Sequence, residues 1–85
     1  MRCLFLTLLL VGCDTTVEQT DSCAQWVSCI DARDTQLDIV TNNDRFLDGG
    51  PCWDNPEIGE LCDLACINGL EDMQEMYSDL PQECL

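Results

Sequence analysis

The chain has 85 residues, 8 of them Cys, and sets 17 Asp or Glu against 3 Arg with no Lys and no His, a formal net charge of −14. That length allows one small domain. The charge weighs against nucleic-acid binding, which needs a basic patch, and the lack of His removes the commonest acid–base group. So much Cys in so short a chain points to a disulfide scaffold in an oxidising compartment. A core this small seldom holds a fold without such staples.

Met1-Arg2 is a short positive start, and Cys3 to Val11 is an apolar run of nine residues. A membrane span takes about 20 residues, so the run fits the apolar part of a signal peptide. It ends in Leu10-Val11-Gly12-Cys13, which resembles the lipobox of bacterial lipoproteins. The resemblance implies a signal peptide over 1–12, cleavage before Cys13, and acylation of Cys13. The plainer alternative is an ordinary secretory signal that leaves Cys13 as an unmodified thiol. Cysteine parity favours the lipobox: Cys23, Cys29, Cys52, Cys62, Cys66 and Cys84 are an even six. Without Arg2 the mature part carries two positive charges against seventeen negative, a net −15. Acyl chains anchor stably because each buried CH₂ contributes about 0.8 kcal/mol.

Residues 14–21 are polar, without Gly or Pro, and read with Cys13 as a tether over 13–21. The Cys-rich domain then occupies 22–85. Ser22 and Gln25 suggest a capping box opening a first helix. Cys23, Trp26, Val27 and Ile30 form its apolar stripe, continued by Leu37 and Val40. The pattern leaves open one helix to about Thr41 or two pieces broken near Asp34-Thr35. Asn42-Asn43 and Gly49-Gly50-Pro51 break helices, with Phe46 and Leu47 between them expected in the core. The longest periodic run is 55–77. There Ile58, Leu61, Cys62, Ala65, Cys66, Leu70, Met73, Met76 and Tyr77 recur at helical steps. Asn55 suits the N-cap and Pro56 the first helical position. Gly69 weakens that helix by up to about 1 kcal/mol relative to Ala and leaves room for a close neighbour. Pro81 ends it, and Cys84 pins the tail. The expectation is an all-α domain, a disulfide-stapled helical hairpin or three-helix unit behind the signal peptide.

Cys23-x5-Cys29, a Gly49-Gly50 turn into Cys52-Trp53, Cys62-x3-Cys66 and a terminal Cys84 after Pro81 together resemble small Cys-rich lipoproteins of myxobacterial type. The resemblance covers residues 22–85 and implies no particular activity.

The remaining chemistries are thin. Four thiolates could be drawn as a zinc site, but an exported chain favours disulfides. No C-x-x-C supports redox catalysis. Acidic pairs on a surface this rich in carboxylates read as solvated charge. Asp44, Asp48, Asp54 and Glu57 are candidate calcium donors by residue type, without the EF-hand spacing. Trp26 and Trp53 read as core before they read as a binding face, as do Met73, Met76 and Tyr77 before a copper site. The expected function is a non-enzymatic, lipid-anchored envelope lipoprotein acting as a small acidic interaction or structural module, without a cofactor. It faces the periplasm or cell exterior and touches the membrane through its anchor, and its acidity favours a basic protein partner or counter-ions. The alternatives are a disulfide-stapled inhibitor or toxin-like effector, and a calcium-responsive binder.

Six Cys allow fifteen connectivities. If the two helices pack antiparallel, Cys23 lies near the tail, Cys29 near the middle of the second helix, and Cys52 near its start. The expected set is then Cys23–Cys84, Cys29–Cys66 and Cys52–Cys62. The rival set is Cys23–Cys66, Cys29–Cys62 and Cys52–Cys84, whose last bond requires a bent or shortened second helix.

Overall fold

A computed structural model describes residues 16–85. The expected signal peptide and the expected lipidation site Cys13 lie outside them. Two long helices, α1 (Asp21–Leu37) and α2 (Pro56–Met76), are joined by a connection holding two short 3₁₀ turns, Asp44–Phe46 and Pro51–Trp53. A third 3₁₀ turn, Gln82–Cys84, closes the tail, and no strand occurs among the described residues. The domain is all-α and held by three disulfides.

α2 starts where its capping residues place it. The Asn55 side chain accepts a hydrogen bond from the Ile58 N–H at 2.9 Å, and Pro56 opens the helix. Its buried stripe is Gly59, Cys62, Cys66 and Leu70, with Met73 half-buried. Ile58, Leu61, Ala65, Met76 and Tyr77, expected on the same face, are exposed. The 3.6-residue period marks a broad apolar sector, but the neighbours cover only the arc that carries the cysteines.

α1 is a single helix, and its cap lies two residues before the expected Ser22. The Thr20 hydroxyl accepts from the Cys23 N–H at 3.3 Å. Gln25, expected in a capping box, instead donates from Nε2 to the Glu83 carbonyl at 3.4 Å, tying helix to tail. The helix stops at Leu37 because Asp38 turns left-handed, with φ of 58°. Asp is among the few non-glycine residues that tolerate this region. The Asp34 carboxylate secures the stop by accepting from the Thr41 N–H at 2.7 Å and its hydroxyl at 2.9 Å. The expected stripe therefore ends early: Leu37 is 50% and Val40 97% exposed.

The helices do not pack antiparallel. Cys23 is bonded to Cys66, Trp26 lies against Gly69, and the Arg33 guanidinium sits 4.2 Å from the centre of the Tyr77 ring. Moving forward along α1 moves forward along α2, so the two run side by side in the same direction. Residues 38–55 carry the chain back between them. This corrects the pairing. Cys23–Cys84 and Cys29–Cys66 do not form; Cys23–Cys66 and Cys29–Cys84 do. Cys52 is bonded to Cys62, as expected from their proximity at the start of α2.

Six of the nine buried hydrophobic residues are these cysteines, with Trp53, Ile30 and Leu70 the others. All but Ile30 fall into two clusters. Cys23, Cys52, Trp53, Cys62 and Cys66 pack together, flanked by Val17 and Phe46; Cys29, Leu70 and Cys84 form the second, flanked by Met73 and Leu80. Trp26 packs against both. A Cβ on Gly69 would lie 2.8 Å from Trp26 Cζ3, so glycine is what lets the indole lie on α2. Phe46 is half-buried as expected, whereas Leu47 is 42% exposed.

The expected tether is largely part of the domain. The Val17 N–H donates to the Trp53 carbonyl at 2.9 Å, and Gln19 Nε2 donates to the Phe46 carbonyl at 2.8 Å. Val17 itself packs on the first cluster. Its apolar side chain sits in a segment without helical period, so its burial had no local signature.

Candidate functional site

The carbonyls of Phe46 and Leu47 point at the Trp53 indole, whose Nε1–H donates to both at 3.3 and 3.0 Å. Trp53 is thereby fixed in the core, only 2% exposed, with one edge toward the start of α2. The left-handed Gly49, φ 78°, makes the turn that brings residues 51–53 to this position. The lead-in 16–20 then lies across Trp53 through the Val17 hydrogen bond. Gly59 faces them both. A Cβ there would come within 3.0 Å of Val17 Cγ2 and 3.4 Å of Trp53 Cε3.

Beside this contact lies an open groove of about 380 Å³, lined by Val17, Glu18, Thr20, Trp53, Pro56, Gly59, Glu60 and Asp63. Its volume lies toward the small end of ligand sites, which run about 300–1,000 Å³. The floor is apolar and the rim bears three carboxylates. Glu60 and Asp63 stand one turn apart on α2; Glu18 comes from the lead-in. The Pro56 end of α2 is the positive end of its dipole, and Glu57 in the first turn already answers it. The rim thus keeps a surplus of negative charge. The two arginines among the described residues lie elsewhere, over Tyr77 and over Phe46.

The candidate calcium donors are not gathered into a site. Asp44, Asp48, Asp54 and Glu57 are all exposed, and no group of three His, Cys, Asp or Glu among the described residues could hold a metal. The thiols are equally committed: each cysteine among the described residues is in a disulfide. Trp53 is core; Trp26 is half-buried at the helix seam. Met76 is 69% exposed and Tyr77 lies under Arg33. None of the described helices is long and apolar enough to cross a membrane.

The groove is the feature the sequence reading missed. Glu60 and Asp63 show as an i, i+3 acidic pair on a helix, but Glu18 looks like any tether residue until Val17 is seen docked. No family model, curated protein or solved structure matches the chain.

Proposed function

We propose that the protein is an exported, lipid-anchored, non-enzymatic envelope lipoprotein whose acidic domain serves as an interaction or structural module. The observation that carries this reading is the core itself. It is built mainly of cystines, which suits an oxidising, extracytoplasmic setting. The Leu10-Val11-Gly12-Cys13 sequence supplies the anchor, and kinship with Cys-rich lipoproteins of myxobacterial type belongs to the same reading. A mature net charge of −15 favours a basic partner and solubility at the membrane surface. With Val17 bound to the domain, only residues 14–16 lie between it and Cys13, and the four steps from Cys13 to Val17 reach about 14 Å when extended. The domain would ride close to the bilayer. Metabolic labelling with a fatty-acid analogue tests the anchor: the wild type takes label and Cys13→Ala does not. Equal label in both ends the lipoprotein reading.

A further inference from the structure

We infer that the groove floored by Val17, Trp53 and Gly59 is a docking site for a Lys- or Arg-bearing stretch of a basic polypeptide, with Glu18, Glu60 and Asp63 receiving its cationic groups. This rests on the interaction-module reading and names its site.

Two independent properties of the groove converge on that ligand. It is a shallow, open depression of about 380 Å³ with an apolar lining, in which Val17 and Pro56, over the buried Trp53 and Gly59, offer accessible carbon to the aliphatic stem of a long side chain. Its rim presents carboxylates from two separate segments, Glu18 on the lead-in and Glu60 with Asp63 on α2. Lys and Arg are the side chains that combine an apolar stem with a positive head. The domain's own arginines stack on Tyr77 and Phe46 and are not among the residues lining the groove. The hydrogen bond from Val17 to Trp53 fixes the lead-in, so both sides of the groove are held before a partner arrives. Holding them in advance lowers the ordering cost of binding. Val17 is four residues beyond Cys13, about 14 Å at full extension. The groove therefore receives its partner at the membrane surface. An anionic ligand is disfavoured by the rim, and a purely apolar one would leave its charges unmet.

The test uses the mature anchored protein in phosphatidylcholine discs and a hexapeptide of alternating Lys and Leu as probe. Amide chemical shifts report the site, and their titration gives the affinity. The peptide is expected to shift Val17, Gly59 and Glu60 and to bind more weakly as salt screens the rim. Glu18→Gln/Glu60→Gln/Asp63→Asn should lose about tenfold in affinity, the combined worth of three exposed charge pairs. Glu71→Gln/Asp72→Asn/Glu75→Gln removes the same net charge elsewhere on α2 and should lose less than about twofold if the effect is local. Unchanged helical circular dichroism confirms that both variants are folded. Equal losses in the two variants would overturn the groove while leaving an interaction role through diffuse charge. No shift with the peptide at low salt would overturn it outright. The same amide shifts on moving to phosphatidylethanolamine discs without peptide would reassign the groove to lipid ammonium groups and also overturn the proposal.

Discussion

The two ends of the α1–α2 seam are closed in different ways. At the start of α1, Cys23–Cys66 and Cys52–Cys62 enclose Trp53, and Val17 and Phe46 pack around them. At the far end one bond, Cys29–Cys84, gathers Leu70, Met73 and Leu80. The near end is held redundantly, by two bonds, the indole and the lead-in. The far end depends on a bond spanning 55 residues, assisted by Gln74 Nε2 donating to the Cys84 carbonyl at 2.7 Å. The groove lies at the redundant end. The proposed docking site thus lies where the described chain is cross-linked most densely.

Reducing all three bonds should have the largest effect. Each is typically worth about 2–4 kcal/mol, and together they rival the whole stability of a small domain. The helical circular-dichroism signal should collapse in reductant at physiological temperature. A reduced chain that melts like the oxidised one would show that Trp53, Ile30 and Leu70 suffice as a core.

Removing single bonds tests the contrast between the ends. Loop entropy assigns about 4 kcal/mol to a loop of 55 residues and about 3 kcal/mol to one of 10. Cys29→Ser/Cys84→Ser should therefore lower the denaturation midpoint more than Cys52→Ser/Cys62→Ser. The reverse order would mean that packing around Trp53 outweighs chain entropy. Non-reducing digestion with mass spectrometry should recover Cys23 with Cys66 and Cys29 with Cys84, and a Cys23–Cys84 peptide would contradict the shared helix direction.

Gly69→Ala probes the link between the ends. The added methyl would meet Trp26 Cζ3 at 2.8 Å. Overpacking of this kind costs about 1–3 kcal/mol, offset by at most about 1 kcal/mol of helix propensity. Net destabilisation is expected by thermal melting, with relief in Gly69→Ala/Trp26→Leu. A stabilised Gly69→Ala would place the indole elsewhere.

The smallest effect concerns the start of α1. Thr20→Ala should cost about 1 kcal/mol as a lost cap, while Ser22→Ala should be nearly neutral. Equal or inverted effects in urea denaturation would return the cap to Ser22.

The sequence by itself determined the local structure. Asn55 and Pro56 set the start of α2, its helical steps set the broad apolar sector within which Cys62, Cys66 and Leu70 are buried, and Gly49-Gly50 set the turn before Cys52. It also pointed to the Cys52–Cys62 bond, because Cys52 lies just before α2 and Cys62 near its start, although it was the structure that excluded the rival Cys52–Cys84. These are short-range consequences of capping, period and chain length. Only the tertiary structure decided that α1 and α2 run in the same direction. Helical period says which face is apolar but not which way the partner points, and an 18-residue connection, 38–55, permits either a hairpin or a return. That one choice fixed the other two disulfides, and with them the seat of Trp26. Likewise nothing local in 16–20 distinguishes a tether from a docked segment. Val17 is held by the Trp53 carbonyl and half-buried against Gly59, both of which come from residues more than thirty positions away. The groove and its acidic rim exist only once those distant pieces meet.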